Sequence, residues 1–558
     1  MLTNNYLRGY ATLGVAFLFI VLNLIVHYSA LSANWRWDDP AILLHAHRFS
    51  ILDIFSNPEI WREFSPANLT PWLILSFEID LALFGLKPEF FYLHQLISLS
   101  LVSTLLYLCL NLWTMRSTAI AGALIFASST PSFLMAQQLM TRHYVEGAVF
   151  CLASLFFFVT FTRTSKIYSL MLSCTFYILA VTAKEIYVPL IILYMLIPEG
   201  EFGKRMTATI PFALIAFGYV LWRGYMLGSL TGGYVSTSGY LELIFFAEIF
   251  SNFSQFPVFL YGSYGWFIAA LYLLILIIYF AIYRSGIFLS IAILGLCLLP
   301  LIPLIRSPGI TMADRYLFLF ALILSFSAAF YTEKIWIILS KQYEGSKTVA
   351  LSLCISIIVI AGLANSLSVR DKILSTANEF DAHADLILTG NNTIAFIPST
   401  HILSSYWFVT HLRSLKKHMF LDGTSPIGVV DEIYLDKGPK SLLVYSAECA
   451  CMRESVSQIQ DMIDAHHSKL IYGVPIEIEF GYSNGNFRWK LGPYDDGEYH
   501  IVSDLLGVIA MPRQGERRVF LADEATFYIR YTSPDGWISY SSLQQIQYIN
   551  PKATRIRG

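Results

Sequence analysis

The chain has 558 residues, of which 56% are hydrophobic and 14% charged, with a net charge of −2. A mean hydropathy of +0.57 excludes an ordinary water-soluble globule, and the absence of any basic, aromatic-interleaved stretch excludes a nucleic-acid binder. Seven cysteines, five of them in apolar runs (Cys109, Cys151, Cys174, Cys297, Cys354), exclude a disulfide framework, and Cys449 and Cys451 read as structural or incidental thiols whose bridge would close a very tight ring.

Apolar runs of spanning length repeat over residues 1–368, whereas the remaining residues read as water-soluble. The first run, 10–31, is too long for the core of a signal peptide and lacks a small-residue cleavage site, so it is expected to remain as a first span. Further spans are expected at 89–113, 118–136, 145–163, 167–183, 185–198, 207–228, 264–283, 285–305, 314–332 and 348–367. That makes a mainly α polytopic membrane protein of about eleven helices. With the N-terminus inside, Arg8, Arg116, Arg163, Lys166, Lys204, Arg205, Arg284, Lys334, Lys341 and Lys347 fall in cytoplasmic connections, and the tail lies outside.

Directly after the first span comes Trp35-Arg36-Trp37-Asp38-Asp39-Pro40, two adjacent carboxylates flanked by interface-seeking aromatics. An acid pair at a water–lipid boundary is expensive to bury and useful where a hydroxyl must lose a proton. An ordinary polar helix terminus is the competing reading. Residues 40–55 are expected to form an interfacial helix and 76–85 a second, while 229–259, opening on Thr231-Gly232-Gly233-Tyr234, suits a cover over a site. His45 and His47 are two apart and do not share a helix face, which argues against a metal pair.

In the tail, residues 369–470 mix strand-like runs (393–397, 441–445) with helical ones (405–417, 455–466), as an α/β unit would. Residues 471–558 carry strand patterns at 474–480, 487–491, 499–502, 518–521 and 525–531. Ser483-Asn484-Gly485-Asn486 signals a hairpin and Ser533-Pro534-Asp535-Gly536 a turn, which fits a small β-sandwich. Trp489 and Trp537 suit either its core or stacking on a sugar ring.

Ionisable residues at a membrane edge are functional candidates, because each costs a few kcal/mol (~3) unless paired or hydrated. The notable ones all fall on the expected outer face: Asp38 and Asp39, Arg142 and His143, Lys184 and Glu185, Arg223, Arg306, Asp314 and Arg315. An acid pair facing several cations suits a nucleophile that needs deprotonating and an anionic leaving group. Lys184-Glu185 and Asp314-Arg315 are equally readable as neutralised pairs at helix ends.

Several short motifs carry a resemblance. Asp38-Asp39 is followed by Leu81-Ala82-Leu83-Phe84-Gly85-Leu86 and Tyr92-Leu93-His94-Gln95-Leu96, then Ala183-Lys184-Glu185, Trp222-Arg223 with Leu227-Gly228 and Gly232-Gly233-Tyr234, and Ala313-Asp314-Arg315-Tyr316-Leu317. In this order they resemble the GT-C superfamily of integral-membrane glycosyltransferases: protein O-mannosyltransferases, aminoarabinose transferases and the O-mannosyltransferases with tetratricopeptide repeats. The resemblance covers roughly 10–335 and implies an inverting transfer of a monosaccharide from a polyprenyl-phosphate donor, such as undecaprenyl phosphate, to a hydroxyl of a protein or cell-envelope glycan or lipid. It implies an inner-membrane enzyme with its site and tail on the extracytoplasmic side, and the bilayer as a further partner. Asp38 would be the catalytic base with Asp39 supporting, although the family motif is commonly Asp-Glu. Arg142, His143, Lys184, Glu185, Arg223, Arg306, Asp314 and Arg315 would hold donor phosphate and sugar. A divalent metal is required by some relatives and not others, and no ligand set decides it. The tail lacks tetratricopeptide repeats, so the mannosyl donor does not carry over. A transporter or flippase for lipid-linked sugars and an assembly subunit are the alternatives; charges gathered on one side favour the enzyme.

Overall fold

The computed structural model describes residues 2–65, 68–197, 199–228, 257–282, 315–340, 346–391, 394–398, 402–420, 425–429, 431–434, 441–471, 475–483, 486–503, 507–518 and 524–546. These form two compact units, one of Met1–Ala33, Pro66–Ser76 and Leu86–Ile373, the other of Asn34–Ser65, Phe77–Gly85 and Leu374–Gly558.

The first unit is helical. Its central pair is α6 (Pro88–Leu110) and α9 (Arg142–Thr164), numbering helices along the chain after α1 (Leu2–Val26), α2 (Asp39–Arg48), α3 (Ile51–Ser56), α4 (Pro58–Phe64) and α5 (Pro71–Phe84), with α7 (Arg116–Ala127) and α8 (Thr130–Gln137) between them. Leu96, Leu99, Val102 and Leu106 recur at helical spacing on α6, as do Val145, Ala148 and Leu152 on α9, and all lie in one buried core. Lipid is as apolar as leucine, so helix association there depends on close packing and interhelical hydrogen bonds. Accordingly, α9 is fastened to α10 (Ile167–Ala183) by Ser154 Oγ, which donates to the Ser173 carbonyl at 2.8 Å, and by Ser173 Oγ, which donates back at 2.7 Å. Gly147 lets the Tyr187 ring lie on α9, since a Cβ there would meet Tyr187 Cε2 at 2.3 Å.

Among the described residues, five helices are long and apolar enough to cross a membrane: Pro88–Leu110, Leu139–Thr164, Phe202–Leu227, Pro257–Ile282 and Leu317–Ile337. A sixth is formed if the bent pair α7 and α8 counts as one span. This corrects the expectation of about eleven. The expected span 118–136 bends by 57° where Ser128 and Ser129 turn their hydroxyls back onto the Ile125 and Phe126 carbonyls and Pro131 cannot continue the helix. Thr12–Val26, Ile167–Ala183 and Glu185–Leu196 are shorter apolar helices, the last interrupted by Pro189 in a 3-10 stretch. The expected span 285–305 and most of the expected cover 229–259 lie outside the described residues. The run 348–367 belongs to a 44-residue helix, Ser346–Thr389, that continues into polar sequence.

The second unit combines residues 34–65 and 77–85 with the tail. The helix expected at 40–55 is divided into α2 and α3, and that expected at 76–85 is the C-terminal part of α5. With α11 (Ile191–Leu196), α12 (Phe202–Leu227), α13 (Gly265–Ile282), α14 (Leu317–Ser340) and α15 (Ser346–Thr389) intervening, α2 packs on α16 (Ile402–Phe420). Phe408, Val409, Leu412 and Leu415 form the buried face of α16. The α/β region has one sheet of order β2-β1-β3-β4. Its strands are β1 (Ile394–Phe396), β2 (Ile427–Gly428), β3 (Ser441–Ser446) and β4 (Cys451–Glu454), and α17 (Val456–Lys469) follows. β1 is parallel to β2 and β3, the former through the crossover helix α16, and β4 is antiparallel.

Beyond it two antiparallel sheets share one core. One has the order β5-β6-β9 (Glu477–Ser483, Asn486–Gly492, Gln514–Arg518). The other has the order β11-β10-β7-β8, with β12 also on β10 (β7 Glu498–Ser503, β8 Gly507–Met511, β10 Ala525–Thr532, β11 Ile538–Tyr540, β12 Gln544–Ile546). Ala525, Phe527, Ile529 and Tyr531 alternate inward from β10 to meet Phe487, Trp489 and Leu491 of β6. Trp489 is thus a core residue, and Trp537 packs against the same core. Ser483 pairs with Asn486 across the expected hairpin. The thiols read as structural or incidental are bonded: Cys449 and Cys451 form a disulfide, and Ala450 between them takes a positive φ of 49°.

Candidate functional site

The acid pair lies in the second unit, in a tight turn entering α2. Trp37 has φ +45°, a left-handed conformation that a bulky residue keeps only when its surroundings hold it. Two clamps do so. The Arg36 guanidinium, 2% exposed, makes a bidentate pair with Asp381 at 2.7 and 2.6 Å, and the Trp37 ring packs on Phe380 at 5.8 Å. Asp381 also accepts the Asn34 backbone N–H at 3.1 Å.

The two acids then differ. Asp39 is fully buried in the first turn of α2 and accepts the Arg36 backbone N–H at 3.0 Å, where the helix N-terminus favours a negative charge. Asp38, at the cap position, is exposed. Pro40 at the start of α2 costs no hydrogen bond, because the first amides of a helix have no intrahelical acceptor. The geometry therefore presents one carboxylate to solvent and uses the other to hold the turn. On the same helix, His45 is buried between Phe49 and Phe64 whereas His47 is exposed, so the two do not share a ligand face.

The first unit gathers charges about the start of α9 and the end of α10. Lys184 Nζ lies 3.2 Å from Glu185, donates to Asn68 Oδ1 at 3.2 Å and sits 5.4 Å from the centre of the Tyr144 ring. Arg223 approaches the other Glu185 oxygen at 4.0 Å. Lys184 and Arg315 both act electrostatically on His143, and Arg315 and Glu185 on Tyr144. The Arg315 guanidinium lies over the Tyr316 ring, which meets Tyr144 edge-on at 6.2 Å. Lys184 and Arg223 thus meet one carboxylate, and Arg315 lies among the aromatic rings that Lys184 also approaches. Lys184 is 3% exposed and Arg223 8%, so these charges act in a medium less polarisable than water.

Arg142 takes a different place. Fully buried, it donates to the Phe91 carbonyl at 2.8 Å and to Ser76 Oγ at 3.3 Å, and it acts electrostatically on Glu146, one turn along α9. Glu146 accepts Trp72 Nε1–H and Ser76 Oγ–H, each at 2.7 Å, and lies 3.3 Å from His94 Nε2. Hydrogen bonds to a charged acceptor and a nearby guanidinium offset the cost of burying this carboxylate.

Of the residues expected from sequence, His143, Lys184, Glu185, Arg223 and Arg315 are brought together. Arg142 joins a neighbouring network, Asp38 and Asp39 belong to the second unit, and Arg306 and Asp314 lie outside the described residues. Glu146, Ser76, Trp72, Asn68 and Tyr144 were not expected. Glu146 had a signal, an acid inside an apolar run four residues after Arg142; the others reach the cluster only through the fold. Chemically, the cation cluster of the first unit can bind an anion, and Asp38, in the second unit, can accept a proton. Comparison with models of known protein families and with curated proteins finds no match.

Proposed function

We propose that the chain is a GT-C-like inverting glycosyltransferase that moves a monosaccharide from a polyprenyl phosphate to an acceptor hydroxyl. The observation that carries this reading is the meeting of Lys184 and Arg223 on the one Glu185 carboxylate, with Arg315 acting on the adjoining Tyr144, at one end of a helical unit. In the reaction, Asp38 takes the acceptor's hydroxyl proton as its oxygen attacks the anomeric carbon. The bond from that carbon to the phosphate oxygen breaks, and polyprenyl phosphate leaves with the electron pair. The cations stabilise the charge that develops on the phosphate, which needs no added proton. Asp39 holds the turn. In this reading the membrane is the bacterial inner membrane, and the site and tail are extracytoplasmic.

The test is an assay of purified protein in detergent with a panel of polyprenyl-phosphate monosaccharides, following release of polyprenyl phosphate with and without chelator. Release by the wild type, abolished in Asp38→Asn with unchanged thermal stability, supports the reading. Full activity in both Asp38→Asn and Asp39→Asn refutes it. Binding of a donor without release moves the argument to a transporter or assembly subunit.

A further inference from the structure

The C-terminal part of the second unit holds a second cluster that the proposed transfer does not use. Asp431 directly precedes a one-turn 3-10 helix, Glu432–Tyr434, and His466 lies in the last turn of α17. One carboxylate oxygen from each acid and one imidazole nitrogen of His466 lie within 4.8 Å of one another. Asp431 is 4% exposed and His466 5%, while Glu432 is half-buried.

Asp431 is held in place: Oδ1 accepts the Tyr540 hydroxyl at 2.6 Å and the Ile433 N–H at 3.2 Å, and Oδ2 is paired with Arg530. Its carboxylate is therefore oriented by β10 and β11. The His466 imidazole lies beside the Tyr540 and His467 rings, at 5.6 and 6.1 Å. An imidazole set beside two carboxylates offers a nitrogen lone pair that a metal ion can take.

We propose that Asp431, Glu432 and His466 form a site for a divalent transition-metal ion of the zinc class. Imidazole with carboxylates suits zinc, whereas calcium and magnesium take oxygen ligands and leave an imidazole unused. Bonds of about 2.0–2.2 Å place tetrahedral ligands about 3.3 Å apart, so binding draws the groups inward by roughly 1 Å. Glu432, half-buried on its single turn, is the member able to make that movement. Two carboxylates balance the ion's charge, and Arg530 and Tyr540 hold Asp431 from behind, as second-layer partners of metal ligands do. The ion would tie α17 and the 431–434 turn to the β10–β11 hairpin, joining the α/β layer to the sandwich beside the parallel bridge of Leu470 with Ile538.

The experiment uses the full chain in detergent, stripped with EDTA, desalted and titrated with zinc chloride, and separately with manganese and calcium chlorides. Bound metal per chain and the thermal midpoint are read for wild type, Glu432→Gln and His466→Ala. The expected result is one zinc per wild-type chain with a raised midpoint. Each variant should bind at least about tenfold more weakly. Glu432→Gln, which changes a half-buried residue, should match the wild-type midpoint in EDTA and keeps the test open if His466→Ala, which removes a nearly buried ring, does not fold. Zinc binding equal in wild type and Glu432→Gln, no zinc bound by wild type, or preference for calcium would each overturn the proposal.

Discussion

Asp381→Asn tests whether the acid-bearing turn is held as described. Asp381 carries three of its restraints, the two Arg36 bonds and the Asn34 N–H. Asparagine keeps one accepting oxygen but loses the charge and one charge-assisted bond, worth about 1.5–3 kcal/mol. Because the Asp381 side chain is 25% exposed, solvent recovers part of this, and a loss of about 2 kcal/mol in local opening free energy is expected. At about 1.4 kcal/mol per tenfold, that is roughly 30-fold faster opening. The amides to watch are Asp39, bonded to the Arg36 carbonyl at 3.0 Å, and Ala41 and Ile42, both bonded to the Asp38 carbonyl at 3.1 Å. Hydrogen exchange followed by mass spectrometry in detergent should show these accelerated while β10 amides do not change, and transfer activity should fall in parallel. Unchanged exchange at these positions would mean that the Arg36–Asp381 pair does not hold the turn.

Burial lowers the pKa of His383 to about 4, and burial together with the Arg48 charge lowers that of His411 to about 4. Both are therefore neutral when folded, whereas an unfolded imidazole titrates near ~6.5, so the unfolded state takes up protons first. Their stabilisation is complete above about pH 6.5 and is lost as pH falls toward about 4, by about 3 kcal/mol each; His383→Leu should flatten the fall in denaturation midpoint between about pH 7.5 and about pH 4.5, and an undiminished fall refutes the assignment. In the Glu146 network, Arg142→Met and Glu146→Met should each destabilise by about 3 kcal/mol and the double variant by less than their sum. Additivity to within about 0.5 kcal/mol would show that the two do not interact. Because disulfides persist in oxidising compartments, Cys449 and Cys451 should react with a maleimide in intact cells only after a reductant is added, scored in a variant lacking the other cysteines. Labelling without reductant would place the tail in a reducing compartment.

What was legible in the sequence was whatever is encoded locally. The runs 89–113, 145–163, 207–228 and 264–283 correspond to α6, α9, α12 and α13, because polar or helix-ending residues bracket continuous apolar stretches. The tail's α/β succession and its hairpin were legible for the same reason. Hydropathy alone read 118–136 as one straight span because it reads through Ser128, Ser129 and Pro131, where backbone chemistry turns the chain, and it read Ile167–Ala183 and Glu185–Leu196 as spans although these helices are short. The grouping of residues 34–65 with the tail rests on pairs such as Arg36 with Asp381, 345 residues apart, for which no local pattern exists. Glu146 lay in plain view, but its partners Trp72 and Ser76 are supplied by a distant segment.

The bland alternative, that the charges merely finish helix ends, is weighed by comparing the two ends of α9. Arg142 and Arg163 are 21 residues apart, about 32 Å at 1.5 Å per residue, close to the roughly 30 Å of a hydrocarbon core. At the Arg163 end the cations do finish the structure. Arg163 pairs with Glu199 and donates to the Leu112 carbonyl at 2.9 Å. Arg205 donates to the carbonyls of Met195, Glu199 and Gly200, and Lys204 donates to the Thr162 carbonyl and Ser165. Each cation there has its own set of acceptors. At the Arg142 end, Arg142 donates to the Phe91 carbonyl and Ser76 and Lys184 donates to Asn68, but Lys184 and Arg223 also share the single Glu185 carboxylate, and Arg315 lies over the Tyr316 ring and acts electrostatically on His143 and Tyr144. Gathering like charges where water is scarce is unfavourable, and closing a helix does not require it. A lipid phosphate, which lies at the depth where such a helix leaves the hydrocarbon, gives that crowding a physical reason that helix termination does not.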